Sequence, residues 1–246
     1  MSARVDDLGR AYAGSQLQIQ IYVNRRTEEL NQSVLDALFL TSLNARLCWV
    51  SPLESEKFVE YQDEAFLRAL GLQHLAGQLR EFWPRRGPSW DALAVVRIGG
   101  DLARWGAVLV EAKSHPAELR GEGCRARPRP RARIEARLRE TKRWLSVAEA
   151  EDVDWTEELY QSANRLAHLY FFLRAGIPVW LVNVYFLRDP HFPDSPSTRE
   201  EWDAVLSQVK ADLGVKTFVP HTADVFLEAR DRRELVRPTD AETGGG

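Results

Sequence analysis

The sequence predicts an α/β fold built on a central mixed sheet, and three features carry that reading. Two short apolar runs, "DALAVVRI" (91–98) and "GAVLVEAK" (106–113), are joined by "GGDLARW". That connection is too short for a parallel crossover, so the runs pair as an antiparallel ribbon. A long helical pattern, "EELYQSANRLAHLYFFLRAG" (157–176), closes at Gly176 and leads into the apolar run "IPVWLVNVYF" (177–186). That order is the signature of a helix returning the chain to a sheet. Elsewhere, helical stripes and short apolar runs follow one another as layered α/β architectures require.

Taken in order, "QLQIQIYVN" (16–24) alternates Leu17, Ile19, Ile21 and Val23 with Gln16, Gln18 and Gln20, which predicts a half-buried edge strand. Segment 27–43 carries Leu35, Leu38, Phe39 and Leu43 at helical spacing. "RLCWVSPL" is a short apolar piece ending in a Ser-Pro turn. Segment 54–70 reads as a helix stopped by Gly71, with Val59, Phe66, Leu67 and Leu70 facing inward. A short helix over 72–83 then runs into a loop set by Pro84, Gly87 and Pro88. Beyond the ribbon, an Arg/Pro-rich loop turns helical near Ile134. After strand 177–186 come a loop with a Ser/Thr-x-x-Glu helix start, a last helix over 200–213, and a final strand-like segment in "TFVPHTADVFLEA". One domain over 1–240 accounts for the pattern, with "AETGGG" (241–246) as a disordered tail.

Composition narrows the function classes. The chain has 246 residues, 44% hydrophobic and 28% charged, an ordinary globular mixture. Cys48 and Cys124 make neither a disulfide framework nor a zinc pattern, and the polar N-terminus lacks a signal-peptide core; both predict a cytoplasmic protein. The most apolar window is interrupted by His168, Arg174, Gly176, Pro178 and Asn183, which excludes a membrane span there. Net charge is −3, yet residues 120–143 hold ten Lys or Arg against three Glu. A segment of +7 on a body of −10 is a local patch on which a polyanion would dock.

The chemistry gathers at the end of the second ribbon strand. With the turn centred on Asp101, Asp91 faces Glu111, and facing residues share a sheet face. Lys113, two residues on, joins them. Two carboxylates held together repel, and a shared proton or a cation relieves that repulsion. With a Lys beside them they suit Mg2+, with Mn2+ as a substitute, leaving coordination positions for water and phosphate. The metal would lower the pKa of a bound water, and Lys113 would orient it.

The arrangement Asp91…Glu111-Ala112-Lys113, in "GPSWDALAVV" and "GAVLVEAKSH", resembles the PD-(D/E)XK nuclease superfamily, whose fold is restriction-endonuclease-like. The resemblance covers about residues 54–187. It implies a metal-dependent nuclease, with DNA as the substrate inherited from the family. It also implies a carboxylate from the helix before the ribbon: Glu60 is preferred, with Asp63 and Glu64 as competitors. Asp91 and Glu111 would ligate metal, and Lys113 would position the attacking water. Gln161 resembles the glutamine that supports the site in several branches.

Other residues are read from their surroundings. Gln161, Asn164, Arg165 and His168 share one helix face, which either lines the site or is solvated; His168 is read as structural. Arg85 and Arg86 precede Asp91 and suit an incoming phosphate, and His115 follows Lys113 on the exit loop. Arg127, Arg129 and Arg131 belong to the run "CRARPRPRARI", where proline favours an extended strip able to track a nucleic-acid backbone. Trp83, Trp90 and Trp105 are assigned to the core. A homodimer is allowed but not indicated. The alternative functions are a catalytically inactive module that binds nucleic acid or a protein, and a purely structural Glu111–Lys113 ion pair.

Overall fold

The structure, a computed structural model, describes residues 4–99, 105–147, 153–215 and 219–236. In chain order the elements are α1 (Gly14–Arg25), α2 (Thr27–Ala37), β1 (Arg46–Ser51), β2 (Tyr61–Gln62), α3 (Asp63–Ala69), α4 (Ala76–Phe82), β3 (Ser89–Trp90), β4 (Ala92–Arg97) and β5 (Trp105–Lys113). They continue with α5 (Pro128–Trp144), α6 (Tyr160–Arg174), β6 (Val179–Leu187), α7 (Arg199–Asp212), β7 (Thr222–Glu228) and α8 (Arg233–Val236). Five strands form one mixed sheet in the order β1-β4-β5-β6-β7, and β2 pairs with β3 as a separate two-residue ribbon. The fold class is α/β, as predicted. The β1–β4 and β4–β5 pairs are antiparallel, while β5–β6 and β6–β7 are parallel. The turn at Asp101 and the tail 241–246 lie outside the described residues.

Each face of the sheet buries its own layer. Ala92, Ala94, Val96, Val108, Val110, Val182 and Val184 point one way, against α1 and α2. Leu93, Leu109 and Leu181 point the other way, against α3 to α7. This is period-2 alternation with both faces covered, so β5 and β6 read as continuous apolar runs. Gly106 lies where β5 meets the turn into β6: a Cβ there would stand 2.6 Å from the Trp180 ring and 2.7 Å from the Pro178 carbonyl oxygen. The final helix start is as expected, with the Thr198 hydroxyl accepting from the Glu201 N–H.

Several expectations are corrected. Residues 16–24 are helical, within α1, not an edge strand. The alternation misleads because Gln18 and Gln20 are buried along with Leu17, Ile19 and Ile21. Gln20 accepts from the Ala11 N–H and donates to the Gly9 carbonyl, and Gln18 exchanges two bonds with the Arg230 backbone. Hydrogen bonding removes the cost of burying those amides, so the polar positions do not mark a solvent face. Segment 54–70 is not one helix: it holds a short 3-10 turn, β2 and then α3. Val59 is exposed, although Phe66, Leu67 and Leu70 are buried. The Arg/Pro run is not an extended strip. Pro128 and Pro130 occupy the first turn of α5, where no backbone N–H is needed from them.

His168 is structural, as read. It is 1% exposed, its Nδ1 hydrogen-bonds the Asn164 carbonyl at 2.9 Å, and its ring meets Phe66, Phe82, Trp83 and Trp90. Burial pushes this imidazole from an ordinary 6.5 down to about 3, so the folded state refuses a proton that the unfolded chain accepts. His168 therefore leaves stability undiminished above pH 6.5 and costs progressively more as pH falls toward 3. The expected loss between pH 6.5 and pH 4 is about 3 kcal/mol. Urea denaturation against pH measures it, and His168→Phe should flatten this acid limb; an unchanged slope in the variant would exclude His168 as its source.

Candidate active site

The β4–β5 register runs from Ala92 opposite Val110 to Arg97 opposite Trp105. The Asp91 N–H donates to the Val110 carbonyl at 3.2 Å, and continuing the register places Asp91 opposite Glu111, the predicted alignment. The parallel pairings extend it, with Glu111 beside Asn183 and Asn183 beside Asp224. Asp91 at the start of β4, Glu111 on β5, Asn183 on β6 and Asp224 on β7 thus form a polar row on the face covered by α6 and α7. Lys113 and Tyr185 occupy the next row.

Glu111 sits between two cations. Lys113 Nζ donates to its Oε1 at 2.6 Å, and Arg165 Nε donates to its Oε2 at 2.6 Å. All three side chains are at least nine-tenths buried. Arg165 also donates to the Ser89 carbonyl at 3.0 Å and lies over the Trp90 ring. Lys113 donates in addition to Gln161 Oε1 at 3.0 Å. The face of α6 bearing Gln161 and Arg165 therefore lines the site and is not solvated. Its lack of Lys and Glu was the sequence signal.

The charges settle unequally. Burial would raise the Glu111 carboxyl, but Arg165 and Lys113 outweigh it and hold the group below its usual range. Burial would lower the Lys113 ammonium, yet Glu111 and Asp91 hold it above its ordinary value. Asp91 is pushed well up, by burial first and then by the Glu111 charge. Its Oδ2 accepts the Ala112 N–H at 2.7 Å, while Oδ1 has no hydrogen bond among the described residues. Glu60, also raised by burial, accepts from Gln16 at 3.0 Å and from the Ser89 hydroxyl at 3.4 Å. Ser89 thus links Glu60 to Arg165.

Glu60 is the carboxylate that approaches the site, but from the residue before β2 and not from a helix. Asp63 instead accepts the backbone N–H groups of Arg86 and Gly87, and Glu64 pairs with Arg80. The exposed Arg85 borders a second hollow with Trp83 and His168. His115 stacks on Phe192 at 4.1 Å. Arg127 and Arg129 are exposed at the start of α5, whereas Arg131 is tied to Glu135 and Thr156. None of Arg85, Arg86, His115, Arg127, Arg129 or Arg131 lines the cavity beside Glu111.

That cavity, about 520 Å³, lies between α6, α7 and the sheet, and Glu111, Lys113, Gln161 and Arg165 form part of its wall. Asn183, Tyr185 and Asp224 line it as well, and sequence reasoning missed all three. The available signal was Asn183, a lone amide within the apolar run of β6. Ser89 and Gln16 were missed too, because each acts only through contacts distant in sequence.

Of the two carboxylates that a hard divalent cation would use, Glu111 already has both oxygens bonded to cations, and only Asp91 keeps one without a hydrogen bond among the described residues. Asp91 offers a free oxygen beside a like charge, which a cation would neutralise. Among the described residues no group of three His, Cys, Asp or Glu side chains is arranged to hold a metal. Two carboxylates suffice for Mg2+, which keeps water and substrate oxygens in its remaining positions.

The ion triad makes a contrast in stability. Glu111→Gln removes the carboxylate that both buried cations share and should cost about 3–5 kcal/mol. Asp91→Asn keeps an acceptor for the Ala112 N–H and relieves repulsion, so it should be neutral or stabilising. Urea denaturation of both variants tests this, and equal losses would contradict it.

Among the described residues no helix is long and apolar enough to cross a membrane. Comparison of the chain with protein-family models, with curated proteins and with solved structures finds no match in any of the three.

Proposed function

We propose that the protein is a divalent-cation-dependent nuclease of the restriction-endonuclease-like kind, hydrolysing phosphodiesters in nucleic acid, with DNA the substrate to test first. One observation carries the reading: Asp91, Glu111 and Lys113 converge on one face at the open end of β5, with Lys113 buried yet held charged. Ligands of parallel sheets bind beyond the carboxyl ends of the strands, and Glu111 and Lys113 lie at that end of β5.

Each residue then has a role. Asp91 and Glu111 would hold Mg2+ or Mn2+, with Glu60 close enough to sense Glu111. When bound, such an ion makes a water nucleophilic and polarises the phosphate. Lys113 remains an ammonium, so it is not the base. Two of its three protons go to Glu111 and Gln161, and the third is left to orient water or a phosphate oxygen. Arg165 fixes the second oxygen of Glu111 and lends positive charge to the site. Arg127 and Arg129, exposed on α5, suit non-specific backbone contact. Two unpaired cysteines suit a reducing, cytoplasmic setting.

A second reading has its own support. Both Glu111 oxygens already accept from cations, which also describes a closed ion-pair cluster in a non-catalytic binding module. Metal binding separates the two, because the module has no use for an ion that depends on Asp91 and Glu111.

The test is cleavage of a panel of single-stranded, double-stranded and branched DNA, and of RNA, with Mg2+. Chelation should abolish cleavage, and Lys113→Ala should lower the rate by about 10²–10³-fold. Equal rates for the wild type and Lys113→Ala would overturn the assignment.

A further inference from the structure

The cavity beside Glu111 holds more than the phosphate chemistry uses. Its floor presents Tyr185, 5% exposed, whose hydroxyl has no hydrogen-bond partner among the described residues. The phenol ring is buried while the hydroxyl opens onto the cavity, where it can donate to or accept from a bound group. Beside it, the Asn183 amide is fixed: its Nδ2 donates to Asp224 Oδ1 at 2.9 Å, and Lys210 holds the other Asp224 oxygen at 3.0 Å. The Asn183 Oδ1 is left as an acceptor without a partner among the described residues. Gln161 is fixed by Lys113 through its Oε1, which leaves its Nε2 as a donor.

Much of the remaining lining is aliphatic, with Leu181 on the floor, Leu166 on α6, Leu206 and Val209 on α7 and Leu213 just after it. Phe39, Ser162, Arg199, Lys210 and Thr222 also contribute. Apolar walls and a few fixed donors and acceptors suit a heteroaromatic ring with hydrogen-bonding edges. Lys113 and Arg165 on the same wall place the cationic groups for a phosphate next to the ring. At about 520 Å³ the chamber has room for one nucleotide, whereas a paired duplex is too wide to enter.

We propose that this cavity takes the nucleobase of a single unpaired or extruded nucleotide whose phosphate lies against Lys113 and Arg165. The proposal rests on the phosphodiester reading of that site and narrows its substrate to nucleic acid with an unpaired nucleotide at the cut. Specificity arises from Tyr185, Asn183 and Gln161, which read the base edge, while the leucines and Val209 hold its faces.

The test has two arms on the full chain. In the first, the four deoxynucleoside 5′-monophosphates are titrated without metal by calorimetry, with deoxyribose 5-phosphate and inorganic phosphate as base-free controls. At least one mononucleotide should bind about tenfold or more tighter than the controls, as one or two added hydrogen bonds imply. Tyr185→Phe and the cavity-filling Val209→Phe should each remove most of that advantage, with folding checked by thermal melting. In the second arm, oligonucleotides with an unpaired base at the cut should be cleaved faster than a matched duplex, and an abasic unit there should abolish the preference. Mononucleotides binding no better than deoxyribose 5-phosphate would overturn the chamber. So would equal cleavage of matched duplex and unpaired substrate that still depends on Lys113, while leaving the nuclease intact. Base-dependent binding lost in Tyr185→Phe, with no cleavage of any substrate, would support the chamber and overturn the nuclease.

Discussion

The Glu111 carboxylate, clamped between Lys113 and Arg165, is the interaction on which the rest of the site depends. Removing an ion from water costs several kcal/mol even after relaxation, and here three are removed together. The cost is tolerable because both carboxylate oxygens receive a charge-assisted bond of 2.6 Å and both cations find further partners in Ser89 and Gln161. The triad also joins sheet to helix, since Glu111 and Lys113 come from β5 while Arg165 comes from α6. A change in the seating of α6 would strand a charge in the core.

From that clamp a polar line runs through an otherwise apolar interface. On one side it passes through Ser89 and Glu60 to Gln16 on α1. On the other, the sheet row continues through Asn183 to Asp224 and Lys210. The first branch is closed by hydrogen bonds within the fold. The second opens on the cavity and keeps groups unpartnered there. Asp91 stands apart from both branches as the carboxyl held far above its usual range, next to a like charge and with one oxygen free.

Much of this was legible in the sequence, and the reasons differ by element. The ribbon register followed from two apolar runs and a short loop, because antiparallel pairing keeps a constant alignment once the turn is placed. The crossover into β6 followed from a strong helix, a terminal glycine and an apolar run. Helix α1 was misread because its buried glutamines imitate the polar face of a strand. Glu60 was placed on the wrong element, since the chain from Glu54 to Gln62 turns and pairs briefly with Ser89–Trp90 instead of coiling.

The sequence by itself determined the α/β class, the facing of Asp91 and Glu111, and the presence of Lys113 on their side. Those properties depend on strand periodicity and on one hairpin, which are local. Only the tertiary structure decided which cation clamps Glu111, which of Glu60, Asp63 and Glu64 approaches, and that Asn183 and Tyr185 look into one chamber. Those relations depend on how α6 and α7 seat on the sheet, through contacts between residues tens of positions apart. No periodicity in the chain encodes them.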